Sequence, residues 1–336
     1  MKNSTLIAEK CSTTKYGFYG RLKAEFPSQV IVDNTELCNL VCVHCAHSIF
    51  KNSEYYAGRS LHPDLNVKLV DEIRQHGQNI TQYIRYSSEG EPLLDPHIYE
   101  MLEYAVRNSG VTVTLTTNGT LMNEERIERL LAAGVGVIDI SIDAFAPETY
   151  ARIRVNGDLN VTRTNVLLLI EMAKQLGGHT KVVVSYIEQP QNVYETNDFE
   201  RFWKDNGADY VVIRRLHSNS GIIVDIANPM RKENTRQLRR PCPYPWERII
   251  LNPRGYLSFC PADWTHGSTI PHADYRITTI FDTWQGDFYQ KLREAHHTNN
   301  FTHHGFCGQC PDWKIINWPS EGRSYANMIE EFKEIE

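Results

Sequence analysis

The chain has 336 residues, enough for one large domain with a smaller one beside it, and 41% of them are hydrophobic, which can fill a substantial core. Its net charge of −6, with acidic and basic residues interspersed, argues against a nucleic-acid-binding surface. The sequence contains no run of about 18 apolar residues and its N-terminal segment lacks the apolar stretch of a signal peptide, so we expect a cytoplasmic protein without membrane contacts.

The predicted elements indicate an α/β fold. Residues 1–28 are polar and irregular, and we expect them to form an N-terminal extension. Over residues 29–216, short β-branched runs alternate with segments of helical period, which is typical of a parallel sheet. Six such units, in a stretch shorter than the about 250 residues of a closed barrel, predict a partial (β/α)6 TIM-like barrel. We predict strands near 29–34, 81–86, 111–116, 136–142, 180–187 and 208–214, and helices near 66–76, 96–108, 122–133, 162–175 and 195–206.

Three cysteines follow the first predicted strand. Cys38, Cys42 and Cys45 have the spacing C-x3-C-x2-C. Eight cysteines in a chain of cytosolic type favour metal binding or catalysis over disulfides. A structural zinc site takes four protein ligands, whereas three thiolates on an iron-sulfur cluster leave one iron free for another ligand. The residues alone leave structural zinc or merely buried cysteines as alternatives.

The C-x3-C-x2-C run resembles the hallmark of the radical S-adenosylmethionine (SAM) superfamily. The resemblance implies a [4Fe-4S] cluster on these cysteines, with SAM bound to its free iron and cleaved to a 5′-deoxyadenosyl radical. It also implies an external electron donor such as flavodoxin or ferredoxin. The cysteine loop leaves the first strand at its carboxyl end, where the sites of parallel β/α folds form.

Two further strand ends resemble SAM-binding segments of this superfamily. The stretch SSEGEPLL, residues 87–94, is similar to the G-G-E-P loop, although Glu89 replaces the first glycine; the resemblance assigns Glu91 to the SAM amino group. The stretch TTNG, residues 116–119, is similar to a turn that approaches the ligand, which makes Asn118 a cofactor-binding candidate. A solvated acid and a plain strand-to-helix turn are the structural alternatives.

The fourth predicted strand ends in Ser141 and Asp143, and Arg154 follows. This passage resembles one in radical SAM enzymes related to molybdenum-cofactor synthesis and sulfatase maturation. The resemblance places Ser141 and Asp143 by the SAM ribose, for which a hydroxyl and a carboxylate are natural partners, and pairs Arg154 with the SAM carboxylate. A solvated surface charge is the alternative for Arg154.

Basic residues close the last barrel strand. Arg214, Arg215 and His217 are candidate catalytic or substrate-binding residues, with a barrel-rim ion pair as the alternative. Residues 217–240 lose periodicity, which predicts a linker or a mobile lid.

A second unit is predicted over residues 241–336. Cys242 and Cys260 flank a predicted hairpin whose N-P-R-G corner has turn chemistry, a helix is predicted near 280–296, and Cys307 and Cys310 form a C-x2-C pair before a C-terminal helix. Four thiolates suit either zinc or iron-sulfur. The spacing resembles the SPASM extension of radical SAM enzymes in its shorter, twitch form, which implies a second, auxiliary [4Fe-4S] cluster.

The linked motifs are similar to those of aminocyclitol dehydrogenases. They imply a radical SAM oxidoreductase that abstracts hydrogen from a sugar, an aminocyclitol or another hydroxylated small molecule, with the auxiliary cluster as electron acceptor. A peptide-modifying enzyme ranks second, because no additional N-terminal domain to hold a leader peptide is visible. A sugar epimerase is a further alternative, in which Cys11 would be the hydrogen donor. A non-catalytic metal-binding protein ranks last.

Overall fold

The computed structural model describes residues 25–87, 89–177, 179–223, 239–314, 316 and 325–334. Cys11, with most of the predicted N-terminal extension, lies outside the described residues, as do residues 224–238 of the predicted linker or lid. The division into four regions stays a prediction.

The β-branched runs form one sheet in which six parallel strands build the predicted partial (β/α)6 barrel, and this fold class is confirmed. The sheet has nine strands in the order β11-β10-β9-β1-β3-β4-β5-β7-β8, and β2 and β6 form a separate antiparallel pair. The strands are β1 (Gln29–Val32), β2 (Val41–Cys42), β3 (Tyr83–Tyr86), β4 (Thr112–Thr117), β5 (Val137–Ser141), β6 (Arg154–Val155), β7 (Lys181–Glu188), β8 (Tyr210–Arg215), β9 (Arg248–Leu251), β10 (Tyr256–Ser258) and β11 (Thr269–Asp274).

The helices that connect the parallel strands cover the outer face of the sheet because each carries an apolar stripe. In the helix over Glu124–Ala132, Ile127 and Leu130 are buried, and the Asn123 side chain caps the first turn by accepting from the Arg126 amide. The helices are α1 (His47–Phe50), α2 (Pro63–His76), α3 (Ile98–Asn108), α4 (Glu124–Ala132), α5 (Pro147–Ile153), α6 (Leu159–Gln175), α7 (Thr196–Asp205), α8 (Tyr244–Glu247), α9 (Ile280–Gln285), α10 (Asp287–Thr298), α11 (Gly305–Gln309) and α12 (Tyr325–Glu334). Short 3-10 turns cover Pro92–Leu94, Val193–Glu195 and Asp312–Lys314.

The C-terminal helix α12 packs inside the barrel. Its Met328 and Ile329 side chains are buried with Tyr83, Val137 and Val183, which point inward from β3, β5 and β7. The predicted C-terminal helix is therefore confirmed, and it fills the apolar lower interior of the open barrel.

A polar layer lies above this apolar floor. The buried carboxylate of Asp139 contacts Arg85 at 3.6 Å and Arg214 at 2.6 Å, and the Tyr325 ring of α12 lies under both guanidinium groups. Asp139 interrupts an apolar strand, which places its side chain on the inward face opposite Ile138 and Ile140.

The predicted hairpin is confirmed as β9 and β10, joined at the N-P-R-G corner where Gly255 has a φ of 81°. Strand β9 also pairs in parallel with β1, so the second unit continues the barrel sheet at its open edge. The single helix predicted near 280–296 is instead two helices, because Gly286 has an extended backbone that ends α9.

Candidate active site

The cysteine loop is fixed against the loop that follows β3. The Glu91 amide donates to the Leu37 carbonyl, the residue before Cys38, at 2.6 Å. A Cβ atom at Gly90 would lie 2.0 Å from the same carbonyl oxygen, so only glycine permits this approach. The G-E-P portion of the predicted SAM loop therefore positions the first cysteine.

Glu91 links this loop to the turn after β4. Its buried carboxylate accepts from the Thr117 hydroxyl at 2.6 Å, from the Asn118 amide at 2.8 Å and from the Leu93 amide at 3.1 Å. Burial raises the pKa of Glu91, and these donors oppose that rise. Because both of its oxygens already accept hydrogen bonds from the protein, the predicted contact of Glu91 with the SAM amino group stays a prediction.

Asn118 connects the same turn to the cysteine loop. Its side-chain amide donates to the Asn39 carbonyl oxygen at 2.9 Å, and Asn39 donates to the Thr120 hydroxyl at 2.8 Å. Asn39 follows Cys38 directly, so these bonds hold the start of the cysteine run against the third strand end. The structure brings the first, second and third predicted motifs together at one edge of the sheet.

Arg154 lies beside Cys42 and is buried, which excludes a solvated surface charge. Cys42 and Arg154 are opposed in the β2–β6 pair, and Arg154 donates to Asp143 at 3.0 Å through Nε. Burial alone would lower the pKa of Arg154, but Asp143 and Cys42 raise it above its ordinary value. A permanent cation therefore faces the second cysteine of the run.

Asp143 is the counterion of Arg154. Its other oxygen accepts from the Ile187 amide at 2.7 Å, and its φ of 62° is in the left-handed region that few residues other than glycine adopt. His44, between the last two cysteines, lies 3.4 Å from this carboxylate and 3.3 Å from the Gln189 side chain. No sequence motif marks His44, although its place inside the cysteine run is a signal.

The ribose and carboxylate contacts of SAM stay predictions. Asp143 and Arg154 bind each other, so contacts to SAM would be additional to an existing ion pair. Ser141 is half-buried at the end of β5, one residue before the chain turns away from the sheet.

The three thiols of the loop fit a shared cluster. Burial raises the pKa of the Cys45 thiol, and Cys42 and Cys38 raise it further because the three sulfurs are close enough to repel as thiolates. Thiolates crowded in this way are stabilised by metal, which withdraws their charge. The nearby Arg154 guanidinium adds compensating positive charge.

The four cysteines of the second unit also converge. They line one cavity together with His217, and burial followed by Cys307 and Cys310 raises the pKa of the Cys242 thiol well above its usual range. Four thiols in one apolar enclosure are the donor set expected for an iron-sulfur cluster or for zinc. The donor set fits the predicted auxiliary cluster.

Two polar side chains organise this second site. Asp312, next to the C-x2-C pair, accepts from the Ser218 amide at 3.0 Å and the Ser220 amide at 2.9 Å, which ties the end of β8 to Cys310. Arg239 donates to the Cys307 and Gly308 carbonyls and lies over the Phe301 ring.

A cavity of about 150 Å³ adjoins the second cysteine site, because Cys260 forms part of its lining. The lining also includes Asp33 after β1 and Glu89, which precedes the glycine that contacts Leu37. In the sequence Glu89 stands out only as a departure from the family loop, and no motif marks Asp33. An acid directly after a parallel strand was the signal available for Asp33.

The three basic candidates lie in different places. Arg214 binds Asp139 inside the barrel, Arg215 is exposed, and His217 lines the enclosure of the auxiliary cysteines. The contacts of Arg214 are those of an ion pair, as the structural alternative predicts. The pair lies in the interior of the barrel, however, and not on the rim of the barrel. Catalytic roles for Arg214, Arg215 and His217 stay predictions.

Comparison with known proteins follows the same division of the chain. A model of the radical SAM superfamily matches residues 35–196, and a model of the SPASM iron-sulfur cluster-binding domain matches residues 242–311. The chain is a radical SAM protein with a SPASM domain. The radical SAM domain implies a [4Fe-4S] cluster with SAM, and the SPASM domain implies auxiliary iron-sulfur binding, as the two sets of cysteines indicate.

Individual relatives share parts of the chain. The AdoMet-dependent heme synthase of Methanosarcina barkeri is 37% identical over 38% of this chain and 34% of its own length. The crystal structure of BtrN in complex with AdoMet and 2-DOIA has a TM-score of 0.57 at 17% identity, covering 85% of this chain and 93% of BtrN. The structure of Streptococcus suis SuiB bound to the precursor peptide SuiA has a TM-score of 0.63 at 15% identity, covering 98% of this chain and 77% of SuiB.

These likenesses are of fold. The chain spans between a third and a half of the length of the first curated relatives that it matches, so their activities are not transferred to it. In the part of the chain that the structure describes, none of the helices combines the length and the apolar character needed to cross a membrane.

Proposed function

We propose that this radical SAM enzyme oxidises a hydroxylated small molecule, with a sugar or an aminocyclitol as the favoured class. The observation that carries the proposal is the polar cavity lined by Cys260, by Asp33 after the first strand and by Glu89, next to the glycine that contacts the residue before Cys38. Its accessible volume matches that of cavities that hold one six-membered ring, about 150 Å³.

The walls of this cavity offer both donors and acceptors. Among the described residues, Arg248 Nε, His266 Nε2, Thr269 Oγ1 and Glu89 Oε2 are buried without a hydrogen-bond partner. Buried polar groups are nearly always satisfied, so four unsatisfied atoms around one cavity favour a ligand that can bond to them. Hydroxyl groups serve this purpose because each can donate and accept.

His266 acts as a donor in this arrangement. The Arg254 guanidinium donates to its Nδ1 at 2.6 Å, and burial followed by Arg254 lowers the pKa of His266 to about 4. The neutral ring therefore carries its proton on Nε2, which is buried without a hydrogen-bond partner among the described residues. A substrate hydroxyl oxygen is a suitable acceptor for that proton.

When bound, the [4Fe-4S] cluster with SAM supplies one electron and a 5′-deoxyadenosyl radical, and the auxiliary cluster supplies an acceptor for one electron. Oxidation of a secondary alcohol to a ketone removes one hydrogen atom, one proton and one electron from the substrate. The hydrogen atom would end in 5′-deoxyadenosine, the electron would be taken by the auxiliary cluster, of which Cys260 is a predicted ligand beside the cavity, and the proton would pass through the polar lining of the cavity to solvent.

Peptide modification is the second candidate function. The likeness to SuiB, whose structure holds a precursor peptide, extends over 98% of this chain. The small, polar cavity favours a single ring over an extended peptide, which would need a groove with several side-chain pockets.

Transfer of deuterium tests the proposal. The reduced full-length protein is incubated anaerobically with SAM and with carbon-deuterated sugars, cyclitols and aminocyclitols, or with carbon-deuterated peptides. We expect deuterium from one of the ring compounds in 5′-deoxyadenosine, together with a ketone product. If deuterium reaches 5′-deoxyadenosine from the peptides alone, the function is peptide modification. A colourless protein that holds only zinc would exclude radical chemistry altogether.

A further inference from the structure

Two acidic side chains meet at the cavity from adjacent strands. Strands β1 and β3 are parallel neighbours with Val32 opposite Tyr86, so the chain leaves the sheet at Asp33 and at Ser87 side by side, and Glu89 is two positions beyond Ser87. Both side chains line the same cavity, and each is close enough to influence the ionisation of the other. Glu89 occupies the position of a glycine in the loop that this sequence otherwise resembles, so its carboxyl group is an addition to that loop.

Neither carboxyl group forms an ion pair in the described part of the protein, although the charge of Arg85 opposes the rise that burial causes in the pKa of Asp33, and the charge of Arg254 opposes the same rise in the pKa of Glu89. Glu89 is 9% exposed, and its Oε2 atom is buried without a partner among the described residues. Within those same residues, no hydrogen bond contributes to the pKa of Asp33. The nearby cations have other partners: Arg85 donates to Thr116 at 2.9 Å and contacts Asp139, and Arg254 contacts His266.

An acidic pair without an ion-pair contact, lining a cavity that can admit a ligand, favours a cation. Burial raises the pKa of Glu89, and the charge of Asp33 raises it further; burial also raises the pKa of Asp33. Without a ligand the pair therefore retains protons. A bound ammonium group reverses this, because one positive charge with three donors stabilises two carboxylates at once.

We propose that Asp33 and Glu89 form the subsite for a primary ammonium group on the substrate. This inference rests on the proposed function, which makes the ligand of this cavity the substrate. It narrows the class of substrate from a hydroxylated ring to a hydroxylated ring that bears an amine. The remaining donors of the cavity, His266 and Arg248, then bind the hydroxyl oxygens of the substrate ring. A divalent metal ion fits less well, because Ca²⁺ and Mg²⁺ take about six or more oxygen ligands and the third acid of the cavity, Asp263, already accepts from Thr265 and Ser268.

Binding of matched ligand pairs tests the subsite. The full chain, loaded with its clusters and SAM under anaerobic conditions, is titrated calorimetrically with glucosamine and glucose, and with an inositol monoamine and myo-inositol. We expect the amine of at least one pair to bind tenfold or more tightly than its hydroxyl partner. Asp33→Asn and Glu89→Gln should each reduce that preference to less than threefold, and the exposed helix acid Glu125, changed to glutamine, should leave it unaltered.

Proton release provides a second readout that a merely structural role of these acids would not produce. Titration in two buffers of different ionisation enthalpy should reveal protons released when the amine binds to the wild-type protein, and fewer in Glu89→Gln. Equal affinity for both members of every pair, no binding of any amine, or a preference that survives in both variants would each overturn the subsite.

The binding result is separate from the proposed function. If the amine preference is present but no deuterium reaches 5′-deoxyadenosine, the subsite stands and the oxidation of these compounds does not. If an amine-free polyol transfers deuterium and its binding is unaffected in Glu89→Gln, the oxidation stands and the ammonium subsite is wrong.

Discussion

The two cysteine sites are built in different ways. Cys38, Cys42 and Cys45 come from one short loop, which is bonded to three other strand ends through Leu37, Asn39 and the β2–β6 pair. The four auxiliary cysteines come from three distant segments of the chain, and they meet in an enclosure of side chains. The barrel thus specifies the geometry of the first site, whereas the second depends more on the metal that joins its segments.

The charges around the two sites differ as well. A buried ion pair of Arg154 and Asp143 faces the first site, at 5% and 0% side-chain exposure. At the second site Arg239 binds backbone carbonyls and packs on an aromatic ring, without a carboxylate partner in the described residues. The cation of the first site is therefore shared between a carboxylate and a cysteine of the loop, whereas, among the acidic groups that the structure describes, the cation of the second site interacts with the cysteines alone.

The largest expected effect is loss of the first site. Replacement of Cys38, Cys42 and Cys45 together by alanine should abolish cleavage of SAM and leave about four irons per chain, those of the remaining cluster. The thermal unfolding temperature should change little, because hydrogen bonds to the backbone hold this loop. Iron content, 5′-deoxyadenosine formation and calorimetry measure the three quantities. Loss of all iron would mean that the auxiliary cysteines hold no cluster.

Replacement of Cys242, Cys260, Cys307 and Cys310 should give the opposite pattern. We expect net turnover to stop while uncoupled formation of 5′-deoxyadenosine continues, and we expect the second unit to become sensitive to proteolysis, because metal joins its segments. Iron analysis and limited proteolysis, with the triple alanine variant as the control, measure this. Turnover with one cluster present would disprove the role of the auxiliary cluster as electron acceptor.

Arg154→Met tests the buried ion pair. The variant leaves the Asp143 carboxylate buried without its main partner. Loss of one member of such a buried pair lowers the free energy of unfolding by about 3–5 kcal/mol. Arg107→Met is the matched control, because Arg107 forms an exposed pair with Glu103 at 2.5 Å and such pairs contribute about 0–1 kcal/mol. Denaturant unfolding measures both. Equal losses in the two variants would show that the Arg154 pair contributes no more than a surface contact.

Much of the fold could be predicted because periodicity determines it. Six strands, five intervening helices and the hairpin follow from alternating and helical patterns, and the C-x3-C-x2-C spacing identified the first site. The parallel pairing of β9 with β1 could not be predicted, since no local pattern states which strand covers the open edge of a sheet. The position of α12 inside the barrel was hidden for the same reason.

The contacts of the polar residues were the least predictable part. Arg154 was expected beside SAM or on the surface, and it is buried against Asp143 because β6 pairs with β2. Arg214 has its partner 75 positions away in Asp139, a separation that sequence spacing does not reveal. Asp33 and Glu89 are significant only because β1 and β3 are adjacent, which is a property of the folded sheet.

The pH dependence of stability offers a smaller effect. Between the ordinary pKa of 4.5 and the raised pKa of Glu89, about 9, the folded protein binds a proton that the unfolded chain does not. Stability from this group is therefore present below about pH 4.5 and is lost as the pH rises toward 9. Thermal unfolding without ligand should show a shallower decline over this range in Glu89→Gln than in the wild type or Glu125→Gln. Identical slopes in all three proteins would contradict the protonated state.

The smallest expected effect concerns Cys11, the cysteine that belongs to neither site. An epimerase must return a hydrogen atom to the opposite face of the substrate radical, and a thiol is a suitable donor, whereas a dehydrogenase removes a further electron and needs none. We predict that Cys11→Ala retains activity and that substrate is oxidised as SAM is consumed. Product analysis in deuterated solvent measures this. Two results together would contradict this prediction: the variant forms 5′-deoxyadenosine but no product, and the wild-type product carries solvent deuterium at carbon. The reaction would then be epimerisation and not dehydrogenation. Cys11 would be the donor of the hydrogen atom, which the auxiliary cluster cannot supply.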